Sequence, residues 1–390
     1  MDREKKLLIL SGIIWFVANL HTPVMPSHFF GLGLADHIYF FSYGIMIFFM
    51  FIMSPLWMNL GEQGYRIEIL NMATVLYGVI QASLGFISSA YGVLFLRGLG
   101  GAVASGFQVG LISLVMDMEN SKDLAGRYVV VMSLSKVLSY LVGGILGFME
   151  AKYILYGQGF LMLLVSVFIK LILGRQGEDE RTNYVGRPKY LWDLVAEARS
   201  LENFFSPWVR VFLVMTFFIS LSYSGINNTI NYYLREALGL RPLVNGVWLA
   251  SIGILGLLIN RTFNIWLVKN KDTRLSLILL LGASSFLALL GYFSQGLVFL
   301  GAIYLYSLVY TMESPILEGF AVRSDLRNIS IMTGIFNGVK YLGEMSGALA
   351  AGLAYGLTKK LAFFIGGLAI GLALVLGIVN YIRDDFKSEV

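Results

Sequence analysis

Five ionisable side chains stand well inside long apolar stretches of this 390-residue sequence: Arg97, Lys136, Glu313, Lys340 and Glu344. His21 is read as the only histidine in a comparable position. A charge at the middle of a bilayer costs roughly a few kcal/mol or more, so it faces a partner or a wet cavity. Two chemistries are open to such groups: proton transfer by a carboxylate that changes its exposure, and binding of a charged ligand. Glu313 lies in YTMESPILEGF, just before Pro315, which frees a backbone carbonyl and can kink the helix beside the carboxylate. Glu313 and Glu344 are the proton-site candidates, because the first six apolar stretches hold no mid-span Asp or Glu. A hydrogen-bonded structural acid at the kink is the alternative for Glu313, and Glu318 is interfacial. Lys340 and Glu344 share a helix face and can neutralise each other. Lys136 has no acid at helical reach, so it needs a carboxylate elsewhere, a wet cavity or a ligand.

A second constellation is neutral. YSGINNTINYY places Asn227, Asn228, Asn231, Tyr232 and Tyr233 in the seventh apolar stretch, and the first carries Asn19, His21 and Thr22. Amides and phenols can orient a polar ligand while rings cover its apolar part. They serve equally as interhelical hydrogen bonds.

Enzymatic signatures are absent: there is no H-E-x-x-H, G-x-S-x-G, phosphate-binding glycine loop or DDxxD-like metal pair. No cofactor is expected, and an intramembrane enzyme is the weakest of the competing classes. With no cysteine, disulfides and thiolate metal sites are excluded. The net charge of +5 marks no nucleic-acid partner, since the basic residues sit at helix ends and not along one stripe.

The elements that must position these residues are apolar stretches of membrane-spanning length, about 20 residues each. They run over 6–27, 38–58, 66–88, 91–116, 126–150, 153–174, 207–234, 243–267, 274–294, 296–320, 329–357 and 361–382. Hydrophobic residues make up 57% of the chain and charged ones 14%, too little polar surface to hide twelve such segments in a soluble domain. The first stretch ends without a small-x-small cleavage site and is expected to be retained. With a cytoplasmic N-terminus, eighteen Lys and Arg fall on the inner side. Only Lys152, Arg235, Arg241, Lys359 and Lys360 fall on the outer one. This asymmetry places both termini in the cytoplasm.

Three regions follow: a six-helix bundle over 1–174, a charged cytoplasmic linker over 175–206, and a second six-helix bundle over 207–390. Part of the linker, Pro188 to Phe204, reads either as an amphipathic helix on the membrane surface or as a solvated tether. The halves repeat. Aligned without gaps, 124–147 faces 328–351, pairing Lys136 with Lys340 and Gly143-Gly144 with Gly347-Ala348. At 1.5 Å rise per residue both lysines lie about 15 Å along their helices. Matching slots in a six-plus-six layout indicate internal duplication.

SPLWMNLGEQGYR, Ser54 to Arg66, resembles the loop 2–3 signature of the major facilitator superfamily. Arg66 fits, Glu62 stands where the family has Asp, and Met58 and Tyr65 replace two glycines. LFLRGLGGAVASG is similar to the family's intramembrane arginine segment and puts Arg97 at the arginine position. SYLVGGILG resembles the antiporter motif of the drug:proton branch. It keeps Gly143 and Gly147, with Ser139 and Gly144 replacing the first glycine and the proline.

The resemblance implies an all-α fold of two pseudo-symmetric six-helix bundles and alternating-access transport across the cytoplasmic membrane of a bacterium. The expectation is a monomeric secondary transporter exporting a small amphiphile in exchange for protons. A carrier or flippase for an anionic metabolite or lipid is the runner-up, favoured by the cationic bias of Arg97, Lys136 and Lys340.

Overall fold

A computed structural model of the chain describes residues 3–118, 120–173, 207–264, 266, 272–324 and 329–388. Twelve long helices and no strand occur among them. The linker at 175–206, with its expected amphipathic helix, lies outside the described residues. We label the helices α1 (Arg3–Gly31), α2 (Asp36–Glu62), α3 (Arg66–Leu84), α4 (Ala90–Met116), α5 (Ser121–Leu146) and α6 (Ala151–Leu173). The others are α7 (Pro207–Glu236), α8 (Pro242–Ile259), α9 (Thr273–Phe293), α10 (Gly296–Ser324), α11 (Ile329–Leu357) and α12 (Leu361–Ser388). By length and composition, eleven include a segment long and apolar enough to cross a membrane. The remaining one, α11, is 29 residues long and carries Lys340 and Glu344.

Local chemistry sets the ends. Ser89 accepts a hydrogen bond from the Gly92 amide at the start of α4, and Asp272 accepts one from the Arg274 amide at the start of α9. Pro207 and Pro242 open α7 and α8, where a helix has no use for the missing N–H. Gly85 and Gly147 follow the last residues of α3 and α5. These helices therefore stop short of the expected 88 and 150. α1 differs the other way. Its Pro23 and Pro26 fall in the first turns of a 3-10 segment, Thr22–Val24, and of a helical continuation, Met25–Gly31. Proline is tolerated there, so α1 jogs and runs on. As a result His28, near the end of α1, is buried as well as His21.

The chain forms two compact units. One holds residues 3–38, 45–173 and 234–253; the other holds 39–44, 207–233 and 254–388, in both cases as far as described. The first is centred on Leu7, Ile14 and Trp15 of α1, Tyr77 of α3, Phe107 of α4 and Met162 of α6. Trp15 and Tyr77 both meet Phe107 edge-on, at 5.8 and 5.4 Å. In the second, Phe212 of α7 stacks on Phe336 of α11 at 5.9 Å, and Tyr223 of α7 on Tyr310 of α10 at 3.7 Å.

The repeat in sequence is a repeat in packing. In the first unit Gly143 of α5 lies so close to the Leu20 carbonyl of α1 that a Cβ would strike it. In the second, Gly347 of α11 stands in the same relation to the Leu221 carbonyl of α7. Positions 143 and 347 are paired by the gap-free alignment, and α1 and α7 open the two halves.

Candidate functional site

Glu313 sits well inside α10 and is 0% exposed, the only fully buried Asp or Glu among the described residues. Ser284 of α9 donates its hydroxyl to Glu313 Oε1, while Oε2 is buried with no hydrogen-bond partner. Among the described residues no cation lies within ion-pair distance. Pro315 is accommodated within α10, as the sequence anticipated, and the freed carbonyl is identifiable. It belongs to Thr311, four residues back, and accepts a hydrogen bond from Asn260 Nδ2 at 2.8 Å. Asn260 opens the π turn at the end of α8. The helix around the acid is thus held from α8 and the acid itself from α9.

Phenols surround this region. The Tyr306 hydroxyl shares a 3.0 Å hydrogen bond with Ser222 of α7, and Tyr310 stacks on Tyr223. Glu344 of α11 is close enough to act electrostatically on Tyr223, Tyr310 and Tyr341. Lys340 and Glu344 form no ion pair among the described residues. The Lys340 ammonium instead lies 3.6 Å from Glu318 of α10, on a side of the helix where Glu318 is 58% exposed. The same-helix pair is replaced because a neighbouring helix offers a solvated carboxylate.

The amides of α7 diverge. Asn228 donates to Ser224 Oγ at 3.2 Å, one turn back. Asn231 is buried with Oδ1 unpaired. The half-buried Asn227 makes no side-chain hydrogen bond among the described residues. Tyr232 is 1% exposed and enclosed by rings: Tyr39 at 4.6 Å, Tyr355 at 5.5 Å and Phe40 at 5.6 Å. It packs within an aromatic cluster.

The first unit is cationic inside. Arg97 of α4 is 3% exposed and acts electrostatically on His21 and His28 of α1. The His21 ring nitrogen Nδ1 is 3.1 Å from Gln158 Nε2 of α6. That amide also donates to the Val17 and Ala18 carbonyls, at 2.8 and 2.9 Å, which the jog in α1 leaves available. Asn19 donates to Trp15 O in its own helix. The Lys136 ammonium of α5 lies over the Trp15 ring, 4.5 Å from its centroid, while Trp15 Nε1 donates to Tyr128 OH at 3.0 Å. An aromatic face attracts an ammonium by roughly 0.5–2 kcal/mol, depending on desolvation.

At the α3–α4 corner, Arg66 pairs with Asp117 at 2.6 Å, whereas Glu62, the acid put forward by motif, is exposed on the rim of the same small cavity. Trp57 of that motif donates to the Ala102 carbonyl of α4 at 2.8 Å. Gly143 packs against the jog of α1, and Gly147 against Pro242 at the start of α8.

Sequence reasoning missed Ser284, Gln158, Asn260 and Asp117. Each is an ordinary polar residue whose partner lies on another element. Asn260 alone carried a signal, as an amide at the end of an apolar stretch.

The Major Facilitator Superfamily profile matches residues 7–348. The chain belongs to that superfamily. A relative described as an MFS-type transporter, YuxJ of Bacillus subtilis strain 168, is 24% identical over 281 residues, 69% of this chain and 68% of that protein. Among solved structures, the nucleoside transporter NupG superposes with a TM-score of 0.73 at 12% identity, covering 97% of this chain and 98% of that one. The human organic anion transporter MFSD10 (TETRAN) gives a TM-score of 0.67 at 13% identity, covering 97% and 100%. At such identities the likeness is one of fold. This superfamily member is a multi-pass membrane protein, and its family and fold are those of transporters.

Proposed function

We propose that this protein is a secondary transporter that moves a small amphiphile across the cytoplasmic membrane of a bacterium by alternating access. On this reading both termini are cytoplasmic, the protein acts as a monomer, and export is driven by protons exchanged at Glu313. The carrying observation is the enclosure of Glu313: one oxygen accepts from Ser284, the other has no hydrogen-bond partner, and no cation is within ion-pair distance among the described residues. Burying a bare carboxylate in this way costs several kcal/mol. The closed site therefore holds the acid with its proton, and water reaching it in another conformation takes the proton away. Glu344, among the phenols of Tyr223, Tyr310 and Tyr341, is the second acid of the relay.

Testing this takes proteoliposomes. Glu313→Gln should abolish pH-gradient-driven transport and spare counterflow exchange, which moves no net proton. Loss of both would assign Glu313 to folding or substrate binding instead.

A second reading, a carrier or flippase for an anionic metabolite or lipid, rests on Arg97. It is the only buried Lys or Arg among the described residues, at 3% exposure. Competition between a cationic dye and an anionic amphiphile separates the readings: binding of the anion alone would favour the second.

A further inference from the structure

We propose that the first unit carries a docking pocket for an anionic lipid, on the membrane face opposite the N-terminus, in which Arg235 and Arg241 hold the acidic head group. A cavity of about 690 Å³ opens there among the ends of α1, α3 and α7 and the starts of α6 and α8. Its size falls in the usual range for small-ligand sites, about 300–1,000 Å³. Each of these element ends follows an odd number of crossings, or each start precedes an even one, which fixes the face.

The lining selects charge. Of the cavity's basic residues, Lys152 is neutralised by Glu150 at 2.6 Å. Arg235 and Arg241 have no carboxylate within ion-pair distance among the described residues. Arg235 is held in place by the Phe30 ring, 5.4 Å away, and by a long contact from Nη1 to Leu240 O at 3.4 Å. Its Nε is buried without a partner, as are His28 Nε2 and Ser27 Oγ, and His28 is only 7% exposed. Buried polar groups are paired in the great majority of cases, so three orphans around one cavity point to a ligand that pairs with them. Two helix N-termini add to the field. Ala151 opens α6 and Pro242 opens α8, both line the cavity, and amide groups at such ends favour an anion.

The rim selects an amphiphile. Ile145, Phe148, Met149 and Leu243 line the same cavity and are exposed, Phe148 to 81%. In a membrane-spanning chain such a rim meets hydrocarbon, so a head group seated on the arginines can lay its chains against these side chains. A free inorganic anion has no use for this wall. The inference rests on the first unit and is independent of proton exchange at Glu313.

The test uses the purified full-length protein in a neutral detergent, with Tm followed on adding phosphatidylglycerol, phosphatidylcholine or inorganic phosphate. Phosphatidylglycerol should raise Tm, phosphatidylcholine should not, and phosphate alone should not. The Arg235→Gln/Arg241→Gln variant should lose at least half of the rise. Lys359→Gln, on the same face but outside the cavity, should keep it, and so should Glu313→Gln. If the double variant does not fold, Arg241→Gln decides alone, because Arg241 is exposed and its loss leaves the packing intact. An equal rise with phosphatidylcholine, an equal rise with phosphate alone (a free-anion site), or a full rise in the arginine variants would each overturn the proposal.

Discussion

The Arg66 guanidinium and the Asp117 carboxylate meet at 2.6 Å where α3 begins and α4 ends, each side chain about a quarter to a third exposed. The pair ties two helices of the first unit at their ends, beside a 200 Å³ cavity that Glu62 also lines. A partly exposed pair of this kind contributes little to stability, about 0.2–1 kcal/mol. Its contribution should therefore be conformational.

Asp117→Asn should reduce transport at least tenfold and lower Tm by no more than a few degrees. Glu62→Asn should leave both nearly unchanged. The swapped pair, Arg66→Asp with Asp117→Arg, should restore part of the activity. Transport assays with thermal unfolding on the same preparations check all three, and wild-type transport by Asp117→Asn would remove the conformational role.

Gly143 and Gly347 should respond alike to alanine. Each added Cβ strikes a backbone carbonyl, of Leu20 or of Leu221, and backbone cannot swing aside as a flexible side chain can. Overpacking of this sort costs about 1–3 kcal/mol. Gly126 and Gly334, with nothing within 4 Å of an added Cβ, should accept alanine at no cost. Unfolding curves of the four single variants decide the matter; an unaffected Gly347→Ala would break the packing repeat.

Lys136 should matter more for anionic substrates than Lys340. Lys340 has Glu318 at 3.6 Å, whereas the Lys136 ammonium lies over the Trp15 ring, 4.5 Å from its centroid. Lys136→Ala should weaken binding of an anionic amphiphile about tenfold, a difference of about 1.4 kcal/mol. Lys340→Ala should weaken it less than threefold. Equal affinity in wild type and Lys136→Ala would reject the substrate role.

Twelve helices were legible because each apolar run is long enough to cross a bilayer, and that is a property of consecutive residues. The end of α1 was not, because a proline stops a helix or starts the next one according to its place in the turn, and Pro23 and Pro26 do the latter. The burial of Glu313 was legible from its place, an acid beside a proline well inside an apolar run. Its partner was not, since Ser284 is one of several serines in α9 and only the packing of α9 on α10 singles it out. The same applies to Gln158, whose amide donates to the Val17 and Ala18 carbonyls where α1 leaves regular helix. Lys340 shows the complementary limit. Spacing on one helix shows what can meet, while Glu318 on the next helix decides what does.

The central claim is that Glu313 carries the exchanged proton. The most direct measurement is proton movement itself, followed with a pH-sensitive dye trapped in proteoliposomes while a transported amphiphile is added at zero membrane potential. Wild type should show a substrate-dependent pH change inside the vesicles, and Glu313→Gln should show none while still exchanging labelled for unlabelled substrate. A pH change in Glu313→Gln at the wild-type rate would contradict the account.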